Sequence, residues 1–329
     1  MKAIQISRTG GPEVLDYVDL PMPEPGPGEV LVRAHAIGVH YFDMLIRSGR
    51  YRWMKPLPLV LGNDMSGRVV AGNKGGRLKT DQAVFIAGWD IGFRGGLYAE
   101  YVAVPEKDIW PLPDNVDLDA AAALSNYSLA WTLIHQVARG VEPRTVLIHG
   151  AAGGMGTALI DIARLASAVT IGLAGTAKKC ALARERGATH AIDYTSEPVV
   201  KRVLELTNGR GADIIINHVA GKTIADDLKV IAPLGMVVSY GVLGGMPETD
   251  LFKEMRANIE RSPAVRCFTM HTSDDMPELR SEGMKKAIEF LAAGKIKPLI
   301  SARLPLSDAA RAHEMLESRQ AVGKIILKP

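Results

Sequence analysis

The residues best suited to chemistry lie in the run "HGAAGGMGTALIDIARL", positions 149–165. Ala151, Gly153 and Gly156 stand at the three positions of a G-x-G-x-x-G pattern, with Ala151 in place of the first glycine. Small residues at that spacing let the backbone turn sharply, approach a pyrophosphate and pack a helix on a strand. The helix N-terminus then presents free N–H groups to the phosphates. Dinucleotide binding is the chemistry implied, and a tight turn that binds nothing is the alternative. The adenosine ribose sets a second condition. A site for NAD holds the 2′-hydroxyl with an acidic residue about 20 positions further on. Here no Asp or Glu falls between Asp161 and Glu185, and Lys178 and Lys179 follow the run "VTIGLAG". A cation at that place favours a 2′-phosphate through charge-assisted hydrogen bonds. NADPH rather than NADH is the expected cofactor.

Such a turn works only between a strand and a helix. "TVLIHG" supplies the strand, and Met155, Leu159, Ile162 and Ala163 recur at helical spacing. Beyond them, apolar β-branched runs alternate with helical ones as far as "MVVSYGV", which indicates βαβ units and a parallel sheet buried on both faces. The spacing predicts a doubly wound α/β (Rossmann) domain over 124–272. Residues 1–123 read instead as short strands broken by Gly and Pro, among them "EVLVRAHAIGV", "DQAVFIAG" and "YAEYVAVP", a pattern of a mostly antiparallel barrel. The tail, 273–329, carries two helices and a final strand "GKIILKP"; too short to fold alone, it is expected to rejoin the barrel.

Composition narrows the class. Of 329 residues, 47% are apolar and 23% charged, which excludes a disordered chain. The net charge of +3, from 39 basic and 36 acidic residues, and the 5% aromatic content argue against a dedicated nucleic-acid surface. The N-terminal run lacks the apolar core of a signal peptide, and no run approaches the ~18 apolar residues of a membrane span. A cytoplasmic enzyme with no membrane partner is expected. The two cysteines, Cys180 and Cys267, cannot build a four-cysteine zinc site and read as reduced thiols.

"HGAAGGMGTA", "GLYAEYVAVPEKDIWPLPDNVDLDAAAAL" and "GKIKPLISARLPLSDAARAHEMLESRQAVGKIILKP", in that order, resemble the zinc-independent quinone oxidoreductases. These form the zeta-crystallin-like branch of the medium-chain dehydrogenase/reductase superfamily. The resemblance implies a GroES-like catalytic domain, a Rossmann domain and hydride transfer from NADPH to a quinone. It places the phosphate turn on Ala152, Gly153, Gly154 and Met155. The 2′-phosphate pocket falls on Gly175, Lys179 and Tyr194, with Arg319 reaching in from the tail. Tyr240, Gly241, Val242 and Leu243 match the loop beside the nicotinamide ribose, Cys267 and Phe268 a strand approaching the nicotinamide, and Tyr51 the wall of the substrate cleft. Alkenal or enoyl reduction, or a structural or RNA-binding role, are the alternatives it leaves. Pairing of two copies through "PAVRCFTM" would make a homodimer.

The departures from the family concern the substrate side. His40 replaces an asparagine in "GVHYFD", either as a proton donor or as a polar residue at the cleft rim. Asn217, followed by His218, replaces an aspartate. Zinc alcohol dehydrogenases of the superfamily ligate metal through a cysteine where His40 stands and through Gly-His-Glu where Gly62, Asn63 and Asp64 stand. The third ligand that catalytic zinc requires is missing, and no metal is expected. A quinone or activated alkene is already electrophilic and accepts hydride without a Lewis acid. The accompanying proton would come from water, Tyr51 or His40.

Overall fold

In a computed structural model of the chain, residues 1–73, 75–92, 95–319 and 321–329 are described. The chain divides into two compact units, Met1–Ser125 with Ile288–Pro329, and Asn126–Ala287.

Among the described residues the second unit is built on a six-stranded sheet. Its spatial order is His190–Asp193, Val169–Ala174, Thr145–His149, Ala212–Asn217, Ile231–Ser239 and Ala264–Cys267, and every pairing is parallel. In chain order this is 3-2-1-4-5-6, the Rossmann arrangement. Because helices cover both faces, the central strands carry no alternation: Val146, Leu147, Ile148, Ile214, Ile215 and Ile216 are all fully buried. The order in which strands are added reverses between Thr145–His149 and Ala212–Asn217, which lie side by side and parallel. In such a sheet the crevice at the carboxyl ends of those two strands is where ligands bind.

One boundary differs from the sequence reading. Residues 273–287, assigned above to the tail, pack into the second unit as the N-terminal part of the helix Pro277–Ala292. Thr132 Oγ1 donates to the Leu279 carbonyl at 3.1 Å, and a Cβ on Gly283 would lie 2.8 Å from the Ser128 carbonyl. Helical periodicity gives the apolar face of such a helix without saying which neighbour covers it.

The first unit carries the GroES-like barrel. Strand Glu29–Gly38 pairs antiparallel with Asp64–Ala71, with Tyr101–Pro105 and with the tail strand Lys324–Lys328. The strand Ile300–Pro305, which the sequence reading leaves out, adds to Lys324–Lys328 in parallel. Ile4, Val32, Met65, Ile86, Ile325 and Leu327 close the core.

Within that unit a buried polar chain ties the helix Tyr41–Arg47 to the tail helix Ala309–Glu317. Asp43 accepts from Asn63 Nδ2 at 2.7 Å and from the Tyr98 hydroxyl at 3.1 Å. The same hydroxyl lies 3.2 Å from His313 Nε2, and Arg47 pairs with Glu317. Burial, with Arg47 adding to it, pushes the His313 pKa down to about 3. The folded state therefore keeps His313 neutral at pH values where the unfolded chain takes up a proton. That contribution is fully present above the unfolded pKa of about 6.5 and is lost as pH falls toward 3, at up to ~1.4 kcal/mol per pH unit. Denaturant titrations at pH 7 and pH 5 are expected to show the wild type losing about 2 kcal/mol more than His313→Gln. Equal losses would show that His313 does not titrate between the two states.

Candidate cofactor and acceptor site

The glycine turn is built as its residue types require. Gly150 has a φ of +65°, and Gly153 caps the helix Gly154–Leu165 without a side chain. The N–H groups of the first turn are thus left to a ligand. A Cβ on Gly156 would lie 2.2 Å from the Gly150 carbonyl oxygen, so helix and strand meet at backbone distance there. Ala151 serves in place of the first glycine because the neighbouring strand answers it with Gly172, where a Cβ would sit 2.7 Å from the Ala151 methyl. Ala151 N donates to the Leu173 carbonyl at 2.9 Å and holds the turn to that strand. Ala152, Gly153, Gly154 and Met155 fall together in this turn.

The residues expected at the ribose phosphate gather beyond the next strand. Gly175 directly follows Val169–Ala174, and a Cβ on it would lie 2.5 Å from the Tyr194 hydroxyl. Tyr194 N donates to the Ala174 carbonyl at 3.1 Å, and its side chain is exposed. Thr176 caps the helix Ala177–Glu185 by accepting from Lys179 N at 3.2 Å, which fixes Lys179 in the first turn. Arg319, expected in the same pocket, belongs to the other unit; it is exposed, with a φ of +55°.

At the carboxyl ends of the later strands two loops are zipped together. Tyr240 N donates to the Asn217 carbonyl at 3.0 Å, Leu243 N to that of His218 at 3.0 Å, and Gly244 N to that of Val219 at 2.7 Å. Gly241 is required at this approach, since its Cβ would lie 2.9 Å from the His218 carbonyl. Val242 is exposed, and Phe268 N donates to the Ser239 carbonyl at 2.8 Å. Asn217 accounts for the departure from aspartate. Its amide donates to Thr223 at 2.8 Å and Asp227 at 2.5 Å, while its oxygen accepts from Val219 N and Ala220 N. A carboxylate could make only the second pair of bonds. His218 is a site residue that the motif reading did not assign. Its ring lies 5.7 Å from that of Tyr240 and against Gly150, where a Cβ would meet it at 2.6 Å.

In the first unit, Tyr51 and His40 face different surroundings. The Tyr51 ring meets Phe42 edge-on at 4.5 Å and Trp53 at 5.6 Å, and Phe42 meets Trp89 at 5.1 Å. Of these rings, Tyr51 and Trp53 border a cavity of about 670 Å³ that is also lined by Ile46, Met54, Leu59 and Gly96 among others. The His40 imidazole turns instead toward Asp64 and Lys324. Its Nε2 is hydrogen-bonded to Asp64 Oδ2 and lies 2.7 Å from Lys324 Nζ, which is 3.5 Å from the same carboxylate oxygen. Ser125 Oγ donates to Asp64 Oδ1 at 2.5 Å. Burial raises the Asp64 carboxyl, but His40, Lys324 and the Ser125 hydroxyl outweigh it and leave the pKa below the usual carboxylate value. Burial likewise lowers the Lys324 ammonium, against the pull of Asp64 and Asp43.

Residues 26–114 match the alcohol dehydrogenase GroES-like domain, and residues 186–327 match a family described as zinc-binding dehydrogenase. The quinone oxidoreductase of Pseudomonas aeruginosa is 35% identical over 330 residues, covering 100% of this chain and 99% of the relative. The chain belongs to the quinone oxidoreductase branch of the medium-chain dehydrogenase/reductase superfamily. The crystal structure of Escherichia coli quinone oxidoreductase complexed with NADPH superposes with a TM-score of 0.88 at 28% identity, covering 100% of both chains. A structure described as an NAD-dependent alcohol dehydrogenase reaches 0.90 at 33% identity, again covering 100% of both. Membership therefore leaves the choice between the two coenzymes to the ribose pocket.

The zinc in the matched family's name does not fit this oxidoreductase. A catalytic zinc needs three protein ligands about 2.0–2.3 Å from one point. Here Asn63 gives its amide to Asp43, and an ammonium stands beside His40 and Asp64. Among the described residues, no group of three His, Cys, Asp or Glu side chains is gathered for a metal.

Proposed function

We propose that this chain is an NADPH-dependent quinone reductase that works without zinc. What carries this is the ribose pocket. Beyond Val169–Ala174 the chain offers Gly175, the Tyr194 hydroxyl and the first helical turn with Lys179, and the run between Asp161 and Glu185 that follows the phosphate turn carries no acidic residue to hold a ribose 2′-hydroxyl. The pyrophosphate would rest on Ala152–Met155 at the start of the long helix, and Tyr240–Leu243 and Phe268 would border the nicotinamide ribose. The group bound there supplies hydride. The protein binds it, orients it and excludes water. Tyr51, Trp53 and the cavity beside them would take a flat, apolar acceptor, whose rings stack favourably on aromatic faces. Because the Nε2 of His40 is engaged with Asp64 and Lys324, Tyr51 or water is the better source of the proton. Pairing of two copies through Ala264–Cys267 fits the position of that strand at the sheet edge, where an uncovered ladder invites association. Among the described residues no helix is long and apolar enough to cross a membrane. A cytoplasmic location agrees with two unpaired cysteines, one buried and one exposed.

The test is an acceptor panel followed by NADPH oxidation after treatment of the enzyme with EDTA. Benzoquinones and naphthoquinones are expected to turn over with full activity retained, ahead of alkenals and enoyl thioesters. Faster reduction of an alkenal, or loss of activity restored by zinc, would replace this assignment.

A further inference from the structure

We propose that Lys324 is the resident cation of the His40–Asp64 site. Its ammonium stands where a divalent ion would have to sit and keeps that site closed to metal.

The position is built rather than accidental. Lys324 begins the last strand, Lys324–Lys328, and is only 4% exposed, although lysine is a residue type that ordinarily keeps its charge in solvent. It reaches inward because the neighbouring strand carries Gly38. A Cβ there would lie 2.3 Å from the Ala122 carbonyl oxygen, 2.7 Å from Lys324 Cε and 3.1 Å from Asp64 Cβ, so a side chain at 38 would collide with backbone and crowd the channel that Lys324 uses. Ile326 is in register with Gly38, and Gly38 with Asp64, which sets the three backbones side by side. At its end, Nζ lies 2.7 Å from His40 Nε2 and 3.5 Å from Asp64 Oδ2.

A metal bound by His40 and Asp64 would need the Nε2 lone pair and a carboxylate oxygen to face one point about 2 Å from each. Instead those two atoms are hydrogen-bonded to each other, and the ammonium closes the site beside them, 2.7 Å from the one and 3.5 Å from the other. An ammonium has three donors and no lone pair, so it can ligate nothing, and its charge repels a divalent ion. The pair thus keeps a compensating positive charge that is covalently fixed and cannot be exchanged or chelated. Burying a carboxylate without such a partner would be strongly destabilising. This holds whichever acceptor the enzyme reduces, so it stands or falls separately from the quinone assignment.

The experiment is equilibrium dialysis of the full chain against Zn²⁺ and against Co²⁺, with bound metal per chain, the visible cobalt spectrum and the thermal midpoint read together. The wild type is expected to hold no stoichiometric metal, with a midpoint indifferent to zinc. Lys324→Glu replaces the ammonium by a carboxylate that stops about one metal–oxygen bond short of its place. That variant is expected to bind about one ion per chain in tetrahedral cobalt form and to lose it when His40→Ala is added. Should it not fold, Lys324→Met decides, since it leaves His40 and Asp64 with no charge between them. Its zinc affinity is then expected to rise at least about tenfold over wild type, seen as a zinc-dependent gain in midpoint. One metal per chain in the wild type, bound through His40, would overturn the proposal. So would a folded Lys324→Glu or Lys324→Met protein with no gain in metal affinity.

Discussion

Gly156→Val is expected to abolish measurable NADPH binding and to lower the thermal midpoint. The Cβ it introduces would lie 2.2 Å from the Gly150 carbonyl oxygen and 2.6 Å from both the carbonyl carbon and the Cα of Ala151. All three are backbone atoms of the turn, so no side chain can swing away, and the helix Gly154–Leu165 must move off the strand that feeds it. Its first-turn N–H groups then no longer converge on the pyrophosphate. We expect NADPH affinity to fall by at least ~100-fold, about 2.7 kcal/mol. Calorimetric titration beside circular dichroism checks it. Gly153→Ala is the control for folding, because a Cβ there meets only the Gly150 oxygen at an ordinary 3.5 Å. If Gly156→Val bound NADPH as the wild type does, the turn would not be the phosphate site.

Lys179→Glu is expected to reverse the choice of coenzyme. The helix start does not depend on this side chain, since Thr176 holds the Lys179 backbone N–H through its own hydroxyl. The substitution therefore leaves the cap of that helix in place. Losing one hydrogen bond to a charged group costs about 1.5–3 kcal/mol, and the new carboxylate repels the 2′-phosphate besides. NADPH affinity should fall by roughly 10- to 150-fold on the lost bond alone, with NADH affinity unchanged or improved. Competition between the two coenzymes in a quinone assay measures it. Unaltered selectivity would place the 2′-phosphate elsewhere.

How much of this was legible in the sequence depends on the range of each interaction. The strand, turn and helix around residues 145–165 could be read directly, because Gly153 and Gly156 answer to neighbours within a few residues. The missing acidic residue after "VTIGLAG" was equally local. Asn217 could be seen to depart from the family but not why, since the reason is a four-bond arrangement with Thr223, Asp227 and two backbone amides. Lys324 was hidden altogether. Its partners His40 and Asp64 lie 284 and 260 residues away, and nothing in a run with a lysine at each end of Ile-Ile-Leu marks the first lysine as buried. The assignment of 273–287 to the tail failed on the same ground, because an amphipathic helix does not announce which core it covers.

The most direct measurement is the ratio of dissociation constants of the wild-type protein for NADPH and NADH, taken by calorimetry at one low ionic strength. A pocket formed by Gly175, Lys179 and Tyr194 for a 2′-phosphate predicts NADPH binding at least about tenfold tighter, the equivalent of one charged hydrogen bond. Equal affinities, or tighter binding of NADH, would contradict it.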